Sequence, residues 1–114
     1  MTKEQLLNLI KNKPASVEFQ QVMEVIDQNY HYTPTRFSNG DIINESGTNE
    51  GSCKIFSFGK LNNLTERDTL TCFGAYYRED VLQHPDRTDH ANIRTFIQQG
   101  WDGIQFDSPA LTEK

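Results

Sequence analysis

The sequence predicts an α+β domain of the broad α/β class, with about five helices around a small, mainly antiparallel sheet. Three observations carry that expectation. Five stretches repeat apolar residues at helical spacing, one strong hairpin signal interrupts them at Asn39-Gly40, and 114 residues leave room for one core. A chain of this size has a folded surface of roughly 6,400 Å² against roughly 19,000 Å² unfolded. A two-domain enzyme is therefore excluded, and residues 1–114 read as a single domain.

The elements follow in order. Thr2-Lys3-Glu4-Gln5 has capping-box spacing, so a helix carrying Leu6, Leu7, Leu9 and Ile10 should run to about Lys11, with Pro14 ending it. Ser16 can cap a second helix, whose Phe19, Val22, Met23 and Ile26 fall at i, i+3, i+4 and i+7. It should fade near Asn29. Tyr30 to Phe37 alternates rings with polar residues and contains Pro34, which suits an edge strand. Asn39 and Gly40 both tolerate positive φ, and a two-residue loop there would set Phe37 opposite Ile42. Asn44 through Ser52 is a polar loop punctuated by Gly47 and Gly51, long enough to suspect a functional role. A third helix should open at Ser52 and carry Cys53, Phe56 and Leu61, until Asn62 and Asn63 stop it. Thr65 caps the longest predicted helix, striped by Leu70, Phe73, Tyr77 and Val81 and closed by Pro85. Asp86 to Asp89 offers caps for a last helix bearing Ile93, Phe96 and Ile97, with Gly100 as its stop and a strand from Trp101 to Phe106.

Composition narrows the function classes. Eleven basic against sixteen acidic residues give a net charge of −5, which argues against nucleic acid as partner. No apolar run approaches a membrane span, and no charged start with an apolar core marks a cleavable signal peptide. Two cysteines are too few for a disulfide scaffold or a four-cysteine zinc site, so a reducing, cytosolic compartment is expected. With 11% aromatic residues in a chain only 35% hydrophobic, the core should be built on rings, Tyr76 and Trp101 among them.

Few constellations could carry chemistry. Cys53 follows Gly51-Ser52 at a helix start, where the dipole favours a thiolate or an anion, although free cysteines are more often buried packing groups. Cys72 to Arg78 has phosphatase-loop spacing. It lies inside a helical pattern, however, whose N–H groups are spent on their own ladder. Asp80, His84, Asp86 and His90 are a nonspecific set for a metal, and neither metal nor cofactor is expected. Cys53, His90 and Asp89 complete the residue types of a thiol hydrolase, an alternative that sequence order cannot exclude. The leading expectation is a module for an unidentified protein or small ligand. Its candidate surface joins Asn44, Asn49 and Ser52 of the loop to Arg78, Asp89 and His90.

The strings Gly47-Thr48-Asn49-Glu50-Gly51-Ser52-Cys53-Lys54-Ile55-Phe56, Tyr77-Arg78, Thr88-Asp89-His90 with Asn92-Ile93-Arg94, and Gly100-Trp101 through Phe106 together resemble the HopJ type III effector family. The likeness covers nearly the whole chain. It implies a compact α/β-class domain of this size from a Gram-negative bacterium, with an association to type III secretion by plant pathogens. It also implies that Asn49, Gly51, Ser52, Cys53, Arg78, Asp89 and His90 are family motif positions, while carrying no defined activity or catalytic role. Effectors usually open on a Ser-rich export segment. The capped helix at Thr2 departs from that pattern, and a bacterial cytoplasmic role is at least as well supported as export.

Overall fold

The computed structural model describes residues Met1–Lys114. Its first helix, α1 (Lys3–Asn12), is closed by the expected reciprocal box: Thr2 Oγ1 accepts the Gln5 N–H at 3.1 Å, and Gln5 Oε1 accepts the Thr2 N–H at 2.8 Å. Leu6 and Ile10 form its buried face. Pro14–Ser16 makes a separate 3₁₀ turn, so α2 (Phe19–Asn29) begins later than the Ser16 cap suggested. Gln21 Oε1 takes the Glu18 N–H at 3.1 Å instead. Val22, Met23, Val25 and Ile26 of α2 face the core.

The predicted edge strand divides at Pro34. Its first part, β1 (Tyr30–Tyr32), pairs antiparallel with an unanticipated C-terminal strand, β5 (Leu111–Glu113). Only Phe37 of the predicted stretch enters a second strand, β2 (Phe37–Asn39), which is central and not an edge: it lies between β3 (Ile42–Asn44) and β4 (Ile104–Phe106) in an antiparallel sheet. The hairpin forms where expected but in another register: Asn39 pairs with Ile42 and Phe37 with Asn44, so Gly40-Asp41 is the loop. Asn39 is fully buried and bonded to Asn92, which makes it a ladder residue, and Gly40 (φ +58°) takes the first loop position.

Helix α3 (Glu50–Leu61) opens before Ser52. The longest predicted helix is broken. Helix α4 (Glu66–Thr71), capped by Thr65, stops where Gly74 turns to φ +61°, and Tyr76–Val81 forms a separate π-helical segment. A Cβ on Gly74 would lie 2.7 Å from the Phe19 backbone nitrogen, so the close approach of a segment far away in sequence and the positive φ both require glycine at this break. The last helix, α5 (Ala91–Gln99), leads into a 3₁₀ turn at Gly100–Gly103, and strand structure starts only at Ile104.

Rings hold these layers together. Phe56 is fully buried, with the Phe96, Phe73 and Phe37 rings at 4.9, 5.6 and 6.0 Å. Phe37 stacks on Phe106, while Trp101 packs edge-on to Phe96 and donates its Nε1–H to the Leu64 carbonyl. Emptying the Phe56 site would cost about 3–5 kcal/mol. The accessible surface of 6452 Å² is what a single compact unit of this length should show.

Candidate functional site

Helices α3 and α5 begin in a way that the other helices do not. Each is preceded by a non-glycine residue in the left-handed region, Asn49 (φ 49°) and His90 (φ 52°), and neither side chain caps its helix. The first helical bonds run from Cys53 N–H to the Asn49 carbonyl and from Arg94 N–H to the His90 carbonyl. The N–H groups of Glu50, Gly51 and Ser52, and of Ala91, Asn92 and Ile93, thus lie ahead of both ladders. They find no acceptor elsewhere in the protein.

These two helix starts border one cavity of about 370 Å³. Asn49, Ser52, His90 and Asn92 contribute polar groups to its lining, while Phe19 and Tyr76 contribute rings. Phe19 and Tyr76 meet edge to face at 5.1 Å, and Tyr76 lies 5.2 Å from the His90 imidazole. His90 Nε2 donates to Asp80 Oδ2 at 3.0 Å, and Nδ1 has no partner in the protein. A second carboxylate, Asp89, stands 3.9 Å from Nε2. Arg94 grips Asp89 through its side chain at 2.8 Å and its carbonyl at 2.6 Å. The side-chain hydrogen bond from Arg94, with the guanidinium's positive charge, holds the Asp89 carboxyl below its ordinary range.

Behind the cavity lies a cluster of amides. Asn44 Oδ1 accepts from Asn49 Nδ2 at 2.7 Å and from Asn92 Nδ2 at 2.9 Å. Asn92 Oδ1 accepts from Asn44 Nδ2 and Asn39 Nδ2, both at 3.1 Å, and the Asn92 carbonyl accepts from Asn39 at 2.9 Å. The cluster ties β2 and β3 to both helix starts, and a buried polar network cross-bonded this way fixes geometry. Asn39 Oδ1 is its one buried atom without a partner.

Three predicted site residues, Asn49, Ser52 and His90, therefore come together at the cavity. Asn44 sits behind it as a support, and Asp89 flanks His90 from outside the lining. Arg78 is elsewhere: its Nη1 donates to the Val17 carbonyl at 2.7 Å, tying down the turn before α2. Cys53 is 1% exposed, and its Sγ donates to the Thr35 carbonyl at 3.7 Å. Burial pushes its thiol up, it does not line the cavity, and His90 Nε2 is engaged by Asp80. The thiol-hydrolase alternative finds no support in this geometry. Cys72 is buried at the end of α4, not inside a longer helix, and burial pushes its thiol up to about 12. The N–H groups at the head of the Cys72–Arg78 stretch remain spoken for, with Cys72, Phe73 and Gly74 bonded to Thr69, Leu70 and Thr71. Asp80 and Asp89 approach His90, yet no group of three His, Cys, Asp or Glu side chains is arranged to hold a metal ion.

Phe19 and Tyr76 read from the sequence as core rings, because rings at helical spacing look alike whether covered or not. Asn92 gives a fainter signal, an amide set beside the apolar stripe of its helix.

The pattern of the HopJ type III effector protein family matches residues 3–111. The chain is also similar to a crystal structure described as that of an unknown function protein, VPA0580. The two are 51% identical with a TM-score of 0.98, over 100% of this chain and 95% of that one. No curated protein matches the sequence.

Proposed function

The chain belongs to the HopJ type III effector protein family, and within that family we propose that it works as a small-ligand-binding module. The observation that carries this reading is the cavity where Asn49, Ser52 and His90 meet the Phe19 and Tyr76 rings. Binding sites typically combine an apolar concavity with a few directional polar groups, and its size falls in the usual range. Left-handed strain at both helix starts and unpaired N–H groups are features a ligand can use, since oxygen acceptors fit helix N-termini. A small molecule or a peptide segment suits this space, whereas nucleic acid is disfavoured by the net charge of −5.

Titration of ¹⁵N-labelled protein with a library of small fragments tests the reading. Amide shifts should cluster at residues 49–52 and 90–93, and Ala91→Trp, which fills the opening, should abolish them. Shifts gathered at the separate groove lined by Ser57, Lys60 and Pro109 would overturn it.

We further propose synthesis in a bacterial cytoplasm followed by type III export, on the strength of the family description. No helix is long and apolar enough to cross a membrane. A reporter fused to the chain should leave a secretion-competent strain and stay within a secretion-defective one. Retention in both refutes export.

A further inference from the structure

We propose that the cavity takes a flat aromatic or heteroaromatic ring, laid against the wall formed by Phe19, Tyr76 and His90; this rests on the ligand-binding role proposed for the same cavity. Each planar group of that wall is fixed by something other than a ligand. Phe19 is seated in two notches that only glycine leaves open. A Cβ on Gly51 would stand 2.8 Å from its Cζ, and one on Gly74 would stand 2.7 Å from its backbone nitrogen. Tyr76 then packs edge-on to Phe19 at 5.1 Å, yet remains 44% exposed, a large ring with much of its surface uncovered. His90 is oriented by Asp80 at 3.0 Å and lies 5.2 Å from Tyr76.

A wall assembled in advance loses little freedom when a ligand arrives, which favours binding. Its quadrupoles discriminate between ligands, because a ring stacked or set edge-on gains an attraction that a saturated ring of similar size does not. On the polar side, Asn49 and Ser52 offer directional groups for a ring heteroatom or a substituent. A purely aliphatic ligand would leave both features idle.

The test compares benzoate and 1-naphthoate with cyclohexanecarboxylate, which carry the same charge, by ¹⁵N amide titration of the full chain. The aromatic acids should shift residues 49–52 and 90–93 with dissociation constants at least about fivefold lower than the saturated acid. Tyr76→Phe should keep that advantage and Tyr76→Leu should erase it, with unchanged melting temperatures confirming that both variants fold. Equal binding of aromatic and saturated acids at those amides overturns the ring proposal while leaving the cavity reading intact. Shifts by none of the three at those amides reject the ring and the cavity reading together.

Discussion

Two kinds of helix start divide this molecule. Helices α1, α2 and α4 are closed within four residues by their own sequence, through Thr2 with Gln5, Gln21 on Glu18, and Thr65 on Asp68. Helices α3 and α5 begin at Asn49 and His90 with positive φ, no side-chain cap and three free N–H groups each. A left-handed non-glycine residue costs about 1–2 kcal/mol. The closed starts therefore serve the fold, whereas the open ones are held against strain by the asparagine cluster behind them. Strain kept in place by surrounding structure is a pointer to function when it is observed and not assumed.

The strongest way to break this contrast is to remove what holds the open starts. Asn92→Ala should destabilise the protein by about 2–3 kcal/mol in urea denaturation, because Asn44 and Asn39 lose buried partners. A loss under about 0.5 kcal/mol would show that these helix starts hold themselves. His90→Gly removes the strain together with the imidazole. Its stability should stay within about 1 kcal/mol of the parent, since left-handed relief offsets the lost Asp80 bond. Ligand-induced shifts at 49–52 should fall sharply in the same variant, and undiminished binding would remove His90 from the site. Thr2→Ala acts on the closed kind of start and should cost about 1 kcal/mol without touching those shifts.

The smallest effect concerns pH. Arg94 favours the Asp89 carboxylate in the folded state, so the stabilisation is present above the ordinary value of 3.8 and lost as pH falls through the lowered one. Stability profiles of the parent and Asp89→Asn should accordingly converge as acid is added below about pH 4. A gap that widens toward acid would contradict the Arg94 pairing.

Much of the closed half is legible in the sequence. The Thr2 box, the α2 stripe and the Thr65 cap are local patterns, complete within one or two turns of chain. The site is half legible. Asn49 and Ser52 stand out as candidates because they lie in a polar loop punctuated by glycines, and His90 because it stands beside Asp89 at a polar corner and supplies a chemically capable side chain. Phe19 and Tyr76 pass for core rings, and Cys53 has the sequence setting of a nucleophile although its thiol is sealed.

The sequence by itself determined the class of fold, its ring-built core, its family and the locally closed starts of α1 and α4. Tertiary structure decided the rest. Gly74 interrupts a helical pattern at positive φ, in a place where the Phe19 backbone leaves no room for a side chain. Asn39 becomes a ladder residue, shifting the hairpin register, because its amide is bonded to Asn92, 53 positions away. Loop 44–52 and the corner before α5 share one cavity for the same reason: Asn44 and Asn92 bond across 48 positions. Pattern reading reports the free energy of neighbours in sequence, whereas these features depend on contacts that exist only once the chain has closed on itself.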